Sequence, residues 1–184
     1  MSAAEVRPAN PSDAAEIARI QRLTWRAAYA GLLGEQAIDD LDKADLEGTW
    51  AETIEYPGSR VYLATEGSFT VGYCVAGPAP EDEAAAADGS APEDAPGLIA
   101  SLVVEPRWGR RGHAGRLLAT AAADLRANGL SRGITWVAQS DHATLGFYRR
   151  AGWSPDGTVR TLDTGRGTLR EVRLTGTLDL ELTQ

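Results

Sequence analysis

A nearly unbroken apolar stretch, Leu98-Ile99-Ala100-Ser101-Leu102-Val103-Val104, runs into Pro106 and then into an arginine- and glycine-rich turn, Arg107-Trp108-Gly109-Arg110-Arg111-Gly112. Helical spacing follows at Ala114, Leu117, Leu118, Ala121 and Leu125. This strand–turn–helix unit constrains the fold more than any other feature. An apolar run without polar alternation describes a strand covered on both faces, hence one in the middle of a sheet. Pro106 stops the strand, and Asn128-Gly129 stops the helix. The first turn of a helix carries unpaired N–H groups and the positive end of the macrodipole. Glycines let the backbone approach a phosphate closely, and arginines add charge, so the turn reads as an anion cradle. It is not a Walker loop, because no Gly-Lys-Ser/Thr follows, and the three-glycine spacing of a dinucleotide fingerprint is absent.

The rest of the chain supplies elements to surround that unit. Glu5 to Pro8 reads as a short strand. Asp13 is expected to cap a helix, with Glu16 completing a capping box and Ile17, Ile20 and Thr24 on one face. That helix is expected to break at Gly31. Leu46, Trp50 and Ile54 predict a second helix between Asp42 and Glu55, ended by Pro57-Gly58. Arg60–Thr65 and Phe69–Ala76 predict a hairpin about Glu66-Gly67-Ser68. Gly133–Ala138 is a further strand, and Asp141 is placed to cap a short helix through Arg150. Thr158–Thr161 and Leu169–Thr175 predict a last hairpin. Residues 77–97 are rich in alanine, proline, glycine and acid, and are expected to form a flexible loop, a solvated spacer more readily than a lure for a cationic substrate. A single α/β domain over residues 1–184 is expected.

The formal net charge is -8, which disfavours nucleic acid as a partner. Yet residues 107–116 hold Arg107, Arg110, Arg111 and Arg116 with no acid. An arginine cluster on an acidic chain fits a small polyanionic ligand. No run of apolar residues is long enough to cross a membrane, and no secretory signal is expected at the start. Cys74 is the only cysteine, so no intrachain disulfide can form. It is expected to be a buried thiol, in keeping with a cytoplasmic location. Two histidines and no clustered cysteines leave metal ligation without support.

Two segments together resemble the GNAT N-acetyltransferase superfamily. Gly112-His113-Ala114 matches the Gly-x-Gly/Ala part of that family's acetyl-CoA loop, Arg/Gln-x-x-Gly-x-Gly/Ala, and Gly115-Arg116-Leu117-Leu118 continues it. The Arg/Gln position is Gly109 here. Downstream, Asp141-His142-Ala143-Thr144-Leu145-Gly146-Phe147-Tyr148-Arg149-Arg150-Ala151-Gly152-Trp153 resembles Asn-x-x-Ala-x-x-Phe-Tyr-x-x-x-Gly-Phe, with Asp141, Thr144 and Trp153 as the departures. The resemblance is close over residues 98–153. Trp25 to Gly31 is similar to a segment common in small-molecule members.

The resemblance implies a mixed, mostly antiparallel sheet with helices on both faces. It also implies a splay between the strands at Leu98–Val104 and Gly133–Ala138, where the arm of acetyl-CoA enters. The implied activity is transfer of an acetyl group from acetyl-CoA, a co-substrate, to a primary amine, expected to belong to a small molecule. A non-catalytic acyl-CoA sensor and a protein or peptide N-acetyltransferase remain alternatives. The implied cofactor-binding residues are Leu102, Val103 and Val104 through their backbone, Arg110, Arg111, Gly112, His113, Ala114, Gly115 and Arg116 at the phosphates, and Asp141. Tyr148 is the candidate general acid; a phenol donates to a thiolate with modest help from geometry. As a residue by itself it reads more readily as a core tyrosine. Glu105 is a weak candidate base and is expected to be a solvated loop carboxylate. His113 is expected to donate to anionic oxygen or water. Trp25 and Tyr29 are expected to line the acceptor pocket, and Trp50 either joins them or packs in the core. The expected partner is an amine-bearing small molecule, with a homodimer allowed for and neither nucleic acid nor membrane.

Overall fold

The computed structural model describes residues 2–165 and 167–180, with residues 29–33 described through their backbone alone. Its strands are β1 (Ala4–Pro8), β2 (Arg60–Glu66), β3 (Phe69–Pro78), β4 (Gly97–Val104), β5 (Arg132–Ala138), β6 (Ser154–Asp163) and β7 (Thr168–Thr177). They form one sheet in the order β1-β2-β3-β4-β5-β7-β6. Only β4 and β5 run parallel; every other neighbouring pair is antiparallel. The helices are α1 (Ala14–Lys43), α2 (Leu46–Glu55), the single turn α3 (Glu81–Ala84), α4 (His113–Ala127) and α5 (His142–Arg150). The mixed sheet with helices on both faces is the expected fold. No described helix is long and apolar enough to cross a membrane.

The two faces are packed by different helices. Ile17 and Ile20 of α1 and Trp50 of α2 cover Val61, Leu63, Tyr73 and Val75. Leu117, Leu118, Ala121 and Leu125 of α4, with Tyr148 of α5, cover Tyr62, Ala64, Cys74, Ala76 and Ile99 on the other face. Alternate residues of β2 and β3 thus serve opposite cores, as the period of two demands. Trp50 belongs to the core: its ring meets Tyr73 edge-on at 5.0 Å, and Nε1 donates to Gln21 Oε1 at 2.7 Å. Cys74 is buried, as expected, and burial pushes its thiol pKa up to about 12.

Several boundaries differ from expectation. Helical backbone runs past Gly31 and breaks at Gly34, whose φ of 71° and ψ of 167° leave the helical region, a conformation that glycine adopts without a Cβ penalty. Asp13 does not form a capping box with Glu16. Its carboxylate takes Arg7 at 2.8 and 2.9 Å and the Asn10 N–H at 2.7 Å, while Glu16 pairs with Arg19. The cap of α2 is Asp45, which accepts from Gly48 N at 2.9 Å. The last hairpin is longer than predicted at both ends.

Residues 77–97 begin inside β3 and end inside β4, and their first half is anchored to the sheet. Arg173 of β7, only 5% exposed, donates to the carbonyls of Glu83 at 2.9 Å and Ala85 at 2.7 Å. Trp136 Nε1 donates to Glu83 Oε2 at 3.2 Å. These bonds depend on β5 and β7, which lie far along the chain, so local composition carries no sign of them.

Candidate active site

The site grows from a defect in β4. Its register with β3 pairs Val75 with Ser101 and Ala76 with Ile99, so Ala100 is an extra residue. Such a bulge bends a strand and increases its twist. On the other side β4 pairs with β5 only at Gly97↔Gly133, Leu98↔Ile134 and Ile99↔Thr135. Beyond that point the two strands part, and β5 continues with β7 alone to Ala138↔Glu171. The Thr135 hydroxyl donates to the Ile99 carbonyl at 2.8 Å and closes the apex. A cavity of about 270 Å³ fills the opening, walled by Leu102, Val103 and Val104 on one side and by Trp136, Val137 and Ala138 on the other. Asp141 and Thr144 of α5 and Thr24 and Trp25 of α1 also reach it. From Ala100 to Val104 the flank of β4 facing β5 carries no ladder partner, and its backbone groups can pair with an extended amide-bearing ligand.

The turn that follows β4 is the expected anion cradle. A single 3-10 turn, Pro106–Trp108, leads into Gly109, Arg110 and Arg111, and α4 starts at His113. Arg110 has φ 63° and Gly112 φ 80°. A non-glycine residue held in the left-handed region marks backbone that its surroundings over-determine, a feature concentrated at ligand sites. Gly112 caps α4 without any side-chain bond, so the amides of the first turn stay open to an anion. A Cβ at Gly115 would meet nothing within 4 Å, which leaves room for a ligand along that turn.

The arginines have different jobs. Arg110 makes no ion pair among the described residues, so its charge is available. Arg111 Nη1 pairs with Glu66 Oε1 at 2.9 Å, and its guanidinium lies 5.0 Å from the Trp108 ring centroid. Arg116 Nη2 donates to the Arg111 carbonyl at 2.8 Å and braces the loop from the helix. His113 is not a surface donor. It is 2% exposed, and its Nε2 lies 2.8 Å from Glu66 Oε2. A carboxylate only accepts, so Nε2 carries the proton. The His113 ring, together with the Arg111 guanidinium, holds the Glu66 carboxyl below its ordinary value. Glu66, at the end of β2, thus ties both sides of the cradle together, a link with no trace in the loop motif.

Glu105 is likewise buried, at 2% exposure, and pairs with Arg19 at 3.1 Å and with Arg107. The expectation of a solvated carboxylate fails because α1 brings Arg19 across to it. Held by two guanidinia, it supports the turn after β4.

Asp141 caps α5 with both oxygens: Oδ1 accepts from Thr144 N at 3.1 Å and Oδ2 from Thr144 Oγ1 at 2.7 Å. The Asp and Thr departures from the motif therefore answer each other. Trp153 is answered as well. Glycines face each other at Gly133↔Gly176, and a Cβ at either would lie 2.4 or 2.3 Å from the indole.

Tyr148 sits inside the core at 2% exposure, its ring 5.4 Å from Trp153 and 5.2 Å from Phe147. Burial raises the phenol pKa, the nearby Cys74 adds to that, and a hydrogen bond with the Thr135 side chain opposes it. Thr135 donates its one proton to the Ile99 carbonyl, and the phenol lies near that hydroxyl, beside the apex of the opening. Trp25 is 37% exposed and lines the cleft. The Tyr29 side chain lies outside the described residues.

The comparisons agree with this geometry. A model of the acetyltransferase (GNAT) family matches residues 17–153. The PaiA N-acetyltransferase from Thermoplasma acidophilum, solved in complex with coenzyme A, superposes with a TM-score of 0.70 at 16% identity, covering 92% of this chain and 98% of that one. YncA from Salmonella typhimurium, solved with its cofactor acetyl-CoA, gives 0.67 at 17%, covering 96% and 95%. The ribosomal-protein-alanine N-acetyltransferase from Brucella melitensis gives 0.69 at 18%, covering 94% and 99%. No curated protein matches the chain. The structural likenesses establish the fold, and the family model spans well over half of the sequence: this chain belongs to the GNAT acetyltransferase family.

Proposed function

We propose that the protein is an acetyl-CoA-dependent N-acetyltransferase whose acceptor is the primary amine of a small molecule. The observation that carries the reading is the opening between β4 and β5 beyond Ile99↔Thr135, on a strand that leads through one turn into a helix start with open amides. Arg110 and the first-turn amides of α4 hold the diphosphate. Leu102 to Val104 pair their free backbone edge with the amide-bearing arm. Arg111, His113 and Arg116 keep the loop in place through Glu66 and the Arg111 carbonyl.

In the reaction the amine nitrogen attacks the thioester carbonyl carbon, a C–N bond forms and the C–S bond breaks. The amine proton passes to water. The thiolate takes a proton from Tyr148, which keeps its own proton throughout the physiological range because burial raises its pKa, and water then reprotonates the phenolate. Asp141 serves by fixing the start of the helix that carries Tyr148. A free ammonium is neutral in only about one molecule in a thousand at pH 7, so seating the amine near the thioester matters as much as leaving-group protonation.

The test is thiol release from acetyl-CoA across small amines and alanine-initiated peptides, run beside calorimetric titration of acetyl-CoA. Thiol release with a small amine is expected. Tight cofactor binding with release only for peptides overturns the small-molecule assignment. Tight binding with no release for any amine supports a sensor.

A further inference from the structure

Two cavities meet at the same pair of side chains. Beside the cleft lies a second hollow of about 310 Å³, lined mainly by apolar groups from Trp25, Leu162 and Leu169. Trp25 and Glu171 belong to the walls of both. Glu171 stands on β7 opposite Ala138, where β5 ends beside the opening. Its Oε1 accepts from Arg160 Nε at 2.7 Å, while Oε2 accepts nothing among the described residues. Arg160 is shared: it also reaches Glu83 at 3.7 Å and stacks over Trp136 at 4.3 Å. Around the joined space, Asp141, Asp163 and Glu171 face a single guanidinium among the described residues, Arg160, so this enclosure favours a cation.

A second observation points to the same place. The Thr24 hydroxyl is buried without any hydrogen-bond partner, and Thr24 lines the cleft. A threonine inside a helix ordinarily bonds the carbonyl one turn back. An orphaned buried hydroxyl costs free energy unless a ligand completes it. Glu171 Oε2, where the cleft meets the apolar hollow, and Thr24 Oγ1, in the wall of the cleft, are two open acceptors, and an ammonium has three donors to give.

Resting on the acetyltransferase reading, we propose that Glu171 and Thr24 seat the ammonium of a compact arylalkyl monoamine, which gives one proton to water before its nitrogen attacks and whose ring lies in the hollow of Trp25, Leu162 and Leu169. The hollow is small and apolar, which suits a ring more than a second charge. The one other carboxylate there, Asp163, already accepts from Gly165 N at 2.8 Å in the β6–β7 turn. The sequence motifs hold no sign of this seat, because its residues lie on α1, β6 and β7.

The test uses the full chain loaded with coenzyme A and 2-phenylethylammonium chloride as the probe. Calorimetry is expected to detect binding that weakens about 10- to 100-fold in Glu171→Gln and several-fold in Thr24→Val, with Thr24→Ser restoring it. In turnover, Glu171→Gln is expected to lower kcat/KM for 2-phenylethylamine by about tenfold or more while the Kd for acetyl-CoA stays within a few-fold. Melting temperatures close to the parent's show that the variants fold. No binding of the probe, binding indifferent to both substitutions, or preference for putrescine or an alanine-initiated peptide over 2-phenylethylamine overturns the seat. Acetyl-CoA titration in the same samples reports on the cofactor site by itself, so a failed seat and a failed acetyltransferase reading are told apart.

Discussion

The two flanks of β4 have opposite fates. Toward β3 the strand is paired to its end, at Gly72↔Val104, with a bulge at Ala100 absorbed on the way. Toward β5 it is released after Ile99. The sealed flank is packed so closely that a Cβ on Gly72 would stand 2.6 Å from the Val103 carbonyl oxygen. The open flank holds a cavity, a run of unpaired backbone and, at its apex, the Thr135–Tyr148 contact. One strand can thus be a structural member on one side and a docking edge on the other. The sealed side provides the rigidity that lets the open side stay open without collapse.

The largest expected effect lies at the apex of the open flank. Tyr148→Phe removes the hydroxyl and keeps the ring, so turnover should fall by about 10²–10⁴-fold while acetyl-CoA affinity stays within a few-fold. If the phenol only packs, stability drops by about 1 kcal/mol and turnover is retained. Thiol release and melting temperature on the same variant separate the two outcomes.

The sealed flank should respond in stability instead. Gly72→Ala forces a methyl against the β4 backbone and should cost about 1–3 kcal/mol by overpacking. Urea unfolding checks it, and the cofactor Kd measured in the same preparation should change little, since the open flank is untouched.

A smaller effect sharpens the comparison within the anion cradle. Arg110→Ala should weaken acetyl-CoA binding by about 1–2 kcal/mol, discounted for exposure. Arg111→Ala should weaken it less directly, because that guanidinium is engaged by Glu66. Equal losses in the two variants, measured by calorimetry, would show that Arg111 leaves Glu66 for the ligand.

The smallest effect near neutrality is the pH dependence of the sealed side. Tyr73 and Cys74 face β4 from β3, and burial raises both pKa values, that of Cys74 to about 12. The unfolded chain gives up these protons first, so it binds fewer protons than the native state at high pH. Stability is therefore fully present below pH ~8 and should fall with rising pH, first through Cys74 and above pH ~10 through Tyr73 as well, by about 1.4 kcal/mol per unit for each group titrating only in the unfolded chain. Thermal melts from pH 7 to 11, with absorbance near 295 nm reporting phenolate formation, check the sign and the window.

Much of this was legible in the chain. The apolar run at 98–104 declared a central strand because only a doubly covered strand dispenses with polar alternation. Gly112-His113-Ala114 declared an open helix start because glycine leaves the amides uncovered. The spacing from Asp141 to Trp153 placed Tyr148 correctly on its helix. These are local facts, set by backbone sterics and side-chain period, and they survive any tertiary context.

What stayed hidden depends on residues distant in sequence. Glu105 looked like a loop carboxylate until α1 carried Arg19 to it. His113 and Arg111 looked free until the end of β2 presented Glu66. Glu171 reads as one alternating residue of a hairpin strand, yet it stands between two cavities. The sequence by itself determined the sheet-forming segments, the glycine-capped start of α4 and the place of Tyr148 on its helix, because each follows from short-range spacing. The tertiary structure alone decided which charges are free. Burial and pairing arise only when separate elements meet, and a hydrogen bond between positions 66 and 113 has no local signature in the chain.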